Sequence, residues 1–158
     1  MATYGGQNVG AQKWERLHQG TRDCVLLGVI YSVIELGVVW FFGDFLCALF
    51  LDAQAMSLMP LVRQYLLIQT YFAVPLALVN ILRFMIQGMG FSPIATLAGA
   101  LEMVGRGSMA YLTPALGFMA ACLAAPAAWI LADLFLITAY FLCCRHLRRS
   151  TPVLASLS

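Results

Sequence analysis

An all-α integral membrane protein with four transmembrane helices is the fold this sequence predicts, and three observations predict it. Of its 158 residues 62% are hydrophobic and only 10% charged, and the mean hydropathy is +0.86. A soluble domain usually carries about a quarter charged residues, so the charge here is too sparse to solvate a closed surface around such an apolar mass. Four apolar stretches are each long enough to cross a bilayer, which takes about 20 helical residues. Lys and Arg collect before the first stretch and after the last. The soluble alternative fails on size, because a chain of 158 residues has no room to bury four helices that are apolar all round.

Residues 1–22 are polar and glycine-rich, with neither the apolar core nor the cleavage site of a secretory signal, and are expected to form a cytoplasmic amphipathic linker. A four-helix membrane segment over 23–150 follows, and then a cytoplasmic tail over 151–158. The first span is expected over 24–51, with Trp40, Phe41 and Phe42 as an interfacial aromatic belt. The second is expected over 61–86, kinked at Pro75, whose ring frees a backbone carbonyl. From Ile94 to Cys144 the chain is almost uninterrupted apolar sequence, which as one helix would be roughly 75 Å long, far beyond any hydrocarbon core. It must turn back. Thr113-Pro114 followed by Gly117 is the better breaker, since a break at Pro126 leaves a short final piece. The third and fourth spans are therefore expected over 94–112 and 116–144.

Basic residues set the orientation. Lys13, Arg16 and Arg22 precede the first span, and Arg145, Arg148 and Arg149 follow the fourth. The loop LDAQAMSLMP and the turn at Thr113-Pro114 carry no Lys or Arg, although Arg63 lies just past that loop. The positive-inside rule thus places both termini and the loop 87–93 in the cytoplasm, as in a multi-pass protein of the inner or plasma membrane.

Charges within the spans are costly in hydrocarbon and face protein or water. Glu102 and Arg106 stand four apart with the acid N-terminal, the favoured order for an intrahelical pair. Either they neutralise each other so that the span can insert, or they line a polar cavity. At about 100° per residue, Gln69, Asn80, Arg83 and Gln87 all fall in one narrow sector of the second span. Such a stripe suits a substrate cavity or hydrogen bonds to partner helices, and Arg83 is also close enough to the span's end to snorkel. Glu35 and Asp133 have no partner in their own helices and are candidates for protonatable carriers or for packing hydrogen bonds.

Other chemistries lack a pattern. Cys24, Cys47, Cys122, Cys143 and Cys144 show neither CxxC nor Cys/His ligand spacing, so no metal site or disulfide framework is expected. Adjacent Cys143 and Cys144, at a helix end, are where acylation would occur if it occurs. No basic stripe interleaved with aromatics points to nucleic acid. His18 and His146 have no ligand partners at helical spacing, and YGGQNVG lacks the Lys-Ser/Thr ending of a phosphate loop, so no enzyme and no cofactor are expected.

Several motifs resemble those of the multidrug and toxic compound extrusion (MATE) transporters. GQNVGAQKWERLHQG is similar to the loop after the second helix of each half in that family. NILRFMIQGMGFSP resembles the end of its tenth helix, and LEMVGRGSMAYL and PAAWILAD resemble its eleventh and twelfth. The resemblance runs from Tyr4 to Arg149. It implies helices nine to twelve of a twelve-helix bundle, in which two six-helix halves face a central cavity and sodium or protons drive export. The partners implied are the lipid bilayer, small organic cations or amphipathic drugs, and the helices this segment lacks. The coupling acids of many members lie in those other helices, so no ion site carries over, and the second span carries over only as a cavity-lining helix. Two functions are thus expected as alternatives: a C-terminal fragment of a cation-coupled efflux antiporter, inactive alone, or a complete small four-helix protein that oligomerises as a minimal transporter, channel or assembly subunit.

Overall fold

Helices make up every element of the computed structural model, which describes residues 1–51 and 53–155. Six α-helices follow one another: α1 (Ala2–Gly10), α2 (Trp14–Phe50), α3 (Met59–Tyr71), α4 (Ala73–Gly88), α5 (Ser92–Leu116) and α6 (Phe118–Ala155), with a 3₁₀ turn over Ala53–Leu58. The expected linker over 1–22 is therefore helical for most of its length. It holds α1, a turn in which Gln12 takes φ 56°, and the first turns of α2. Likewise, the expected tail from 151 begins inside α6, and its residues 156–158 lie outside the described ones.

Two helical stretches are long and apolar enough to cross a membrane, Trp14–Phe50 and Phe118–Arg149. A third crossing arises if Ala55–Tyr71 and Ala73–Gly88, bent by 50°, count as one span. The 25 residues of α5 are long enough but not apolar enough to join them, because Glu102, Arg106 and several small residues dilute its hydropathy.

The bend has a local cause. A continuous helix would press the Pro75 ring against the carbonyl of Tyr71, four residues earlier. Breaking at Phe72 puts Pro75 in the first turn of α4, where a missing N–H costs nothing because it would have no helical acceptor. The Phe72 N–H turns back to the Gln69 carbonyl, tightening the end of α3. The return between α5 and α6 comes at Gly117, whose φ of 71° suits a residue without a Cβ. Pro114 lies within the last turn of α5, three residues before that break, and α6 runs on through Pro126.

At the centre of the packing is α4, which touches α1, α2, α5 and α6. Its Val79, Leu82, Met85 and Ile86 form the core with Trp129, Leu136 and Tyr140 of α6 and Leu17 of α2. Small residues permit the closest approaches. A Cβ on Gly88 would run into the Ala2 carbonyl of α1, and one on Gly105 of α5 would lie 3.2 Å from the Ala128 Cα of α6. Around this core the outer surface stays apolar, with Phe41 82% and Tyr111 86% exposed, far more than water tolerates over a whole molecule.

Candidate charge network between α4 and α5

Glu102 joins two helices. Its carboxylate accepts a hydrogen bond from the Arg83 guanidinium across the α4–α5 contact, and a longer one of 3.4 Å from Arg106 on its own helix. The side chains of Glu102 and Arg83 are 12% and 25% exposed, whereas Arg106 is 52% exposed. The pair expected within α5 is thus one arm of a three-residue link, and the better-buried arm comes from α4. Arg83 does not reach out along the chain to the interface as a lone cation. Two guanidiniums on one carboxylate leave one positive charge in excess, and the buried Nε of Arg83 has no hydrogen-bond partner among the described residues. The link therefore retains attraction for an acceptor such as a carbonyl, a carboxylate or water.

The polar stripe expected along the second span is divided by the break. Gln69 ends up on α3, where its amide donates to the Cys122 carbonyl of α6 at 3.0 Å, so it pins two helices together rather than extending the stripe. Asn80, Arg83 and Gln87 stay together on α4. Asn80 is exposed and donates to the Leu76 carbonyl one turn back, and Gln87 is exposed as well. Asn80 and Gln87 on α4 and Arg106 on α5 are thus exposed, beside the part-buried Arg83–Glu102 pair and among exposed apolar neighbours such as Phe84, Met103 and Val104.

Glu35 on α2 is half-buried and stands apart from this network, with no hydrogen bond or ion pair to it among the described residues. Asp133 on α6 is 7% exposed, and among the described residues neither its Oδ1 nor the Nε1 of Trp129, one turn earlier, has a hydrogen-bond partner. Among the described residues no group of three or more His, Cys, Asp or Glu side chains is placed to hold a metal ion. All five cysteines are free, and burial of both Cys143 and Cys144 removes them from acylation in this conformation.

Two contacts were not legible in the sequence. Asp44 of α2 meets Arg63 of α3 at 2.8 Å, which neutralises the one cation near the loop between them. His18 of α2 lies 3.0 Å from the Tyr140 hydroxyl of α6, with Thr21 Oγ1 3.2 Å from the same oxygen. The start of α2 and the end of α6 thus lie at the same end of the bundle. Nothing in the residue spacing pairs positions so far apart in the chain.

A family model described as MatE matches residues 1–112, which takes in α1 to α4 and most of α5. No curated protein and no solved structure matches the chain.

Proposed function

This chain belongs to the MatE family, a family of transporters, and from that premise we propose that it is a four-span portion of a cation-coupled exporter of small organic cations or amphipathic compounds. In this reading α2, the bent α3–α4 pair, α5 and the apolar part of α6 each cross the bilayer once, with both termini cytoplasmic. They correspond to helices nine to twelve of a twelve-helix bundle, and the coupling ion is sodium or a proton. The observation that carries the reading is the part-buried Arg83–Glu102 pair joining α4 to α5, with Asn80, Gln87 and Arg106 exposed on the same two helices. Polar groups at membrane depth face protein or water rather than lipid, so this side of α4 and α5 is where an aqueous, substrate-bearing cavity belongs. The break at Phe72 adds support, because irregular backbone is tolerated at that depth where it borders a cavity or protein.

The same polar groups also suit a second copy of this chain, with the two sets closing on each other, as in a small four-helix protein that works as an oligomer. The two readings differ in what restores transport. In cells stripped of their own drug exporters, efflux of a cationic dye is expected when the segment is part of a full-length transporter and not when it is expressed alone. Within that transporter, Arg83→Leu and Glu102→Gln should each lower efflux severalfold per molecule present in the membrane. Unchanged efflux in both variants removes the α4–α5 face from the pathway. Dye export by the isolated chain as a homogeneous oligomer establishes the second reading instead.

A further inference from the structure

We propose that the end of the bundle where α1, α2 and α6 meet is a binding site for the phosphate headgroup of an anionic membrane phospholipid, with Lys13, Arg16 and Arg148 as its cationic wall. A cleft of about 460 Å³ lies there, lined by these three residues with Gln12, Trp14 and Glu15. Lys13 and Arg16 flank the start of α2, and Arg148 comes from the far end of the chain. Burial of apolar side chains brings them together, since Trp14 and Leu147 both pack against the core and Arg148 follows Leu147. The His18–Tyr140 contact fastens the same two helices, about one turn further along α2 and about two turns back along α6.

Among the described residues none of Lys13, Arg16 and Arg148 makes an ion pair, and Glu15 is the one acid lining the cleft. Three cations thus face one carboxylate in a concave site. Guanidinium forks and an ammonium are the donors that a phosphodiester takes best. The bilayer, rather than free phosphate, is the source that fits, because the helices bearing the cleft continue into exposed apolar flanks, Leu26 and Leu27 on α2 and Phe141 and Leu142 on α6. Acyl chains can lie along those flanks while the headgroup occupies the cleft. Trp14, half-buried beside it, has the amphipathic ring favoured at headgroup depth.

The test is direct. The full chain in a neutral detergent is titrated with phosphatidylglycerol and with phosphatidylcholine, and bound lipid is counted by native mass spectrometry. Phosphatidylglycerol is expected to be held more tightly. Lys13→Gln, Arg16→Gln and Arg148→Gln should each weaken it by roughly fivefold, the attraction one basic residue supplies near an anionic surface. The charge-preserving set Lys13→Arg, Arg16→Lys and Arg148→Lys should keep the preference, as should Arg145→Gln with Arg149→Gln, which removes two exposed cations at the same end without lining the cleft. An equal loss in that last pair would mean diffuse surface charge and overturn the site. So would the absence of any preference in the unmodified chain, and displacement of the lipid by millimolar inorganic phosphate would reassign it to a free anion. Lipid counting does not depend on transport, so a failed export assay leaves this outcome separately readable.

Discussion

Arg83 meets Glu102 from the neighbouring helix, while Arg106 reaches the same carboxylate from one turn along α5 at 3.4 Å. These two arms have unequal consequences. Removing Arg83 strands a carboxylate that is 12% exposed, with a long, half-solvated bond as its remaining support. Breaking a buried pair on one side typically costs about 3 kcal/mol or more, whereas an exposed i,i+4 pair is worth about 0.5 kcal/mol. Arg83→Leu is therefore expected to lower the stability of the detergent-solubilised chain far more than Arg106→Leu. The double variant Arg83→Leu with Glu102→Leu should recover most of the loss, because no lone charge remains. Thermal unfolding followed by circular dichroism measures all three. Equal losses from the two arginines would refute the ranking. Spacing alone pointed to the intrahelical partner, since a sequence makes visible neighbours along one helix and not those on the next.

Among the elements, the bent α3–α4 pair most changes what its residues do. The break at Phe72 moves Gln69 onto the α6 backbone and leaves Asn80, Arg83 and Gln87 as the polar face of a separate helix. Pro75 is its cause, so restoring an N–H there should relax it. Pro75→Ala is expected to straighten the pair and lengthen the distance between spin labels at positions 61 and 87. The gain should be about 4 Å, given a rise of about 1.5 Å per residue on each side of the 50° bend. Pulsed electron–electron resonance reads that distance, and an unchanged value would assign the bend to tertiary packing instead. At the other end of α4, contact of Gly88 with the Ala2 carbonyl lets α1 lie directly against the helix. That contact turns an expected linker into a packed element.

For the molecule as a whole, the question is how an apolar exterior and a lopsided charge distribution sit in a membrane. Arg63 is held by Asp44, so the end of the bundle that contains the 3₁₀ turn carries little free positive charge, while Lys13, Arg16, Arg145, Arg148 and Arg149 collect at the opposite end. That asymmetry is what the positive-inside rule reads. In a background with the five native cysteines replaced by serine, Ser57→Cys should react with a membrane-impermeant maleimide from outside the cell. Gly90→Cys should react only after the membrane is opened. The reverse pattern would invert the chain, and equal labelling of both sites would refute a fixed orientation.

By itself the sequence determined what depends on neighbours along the chain. Helical character, the apolar stretches, the bend near Pro75 and the return at Gly117 are local properties, because a helix in hydrocarbon must satisfy its own backbone and prolines and glycines act within a turn of where they stand. The tertiary structure alone decided which charges meet. Arg83 with Glu102, Asp44 with Arg63, His18 with Tyr140 and the cleft of Lys13, Arg16 and Arg148 all join different helices. Their partners are chosen by how apolar faces and small residues let the helices pack, and no spacing within one segment records that choice.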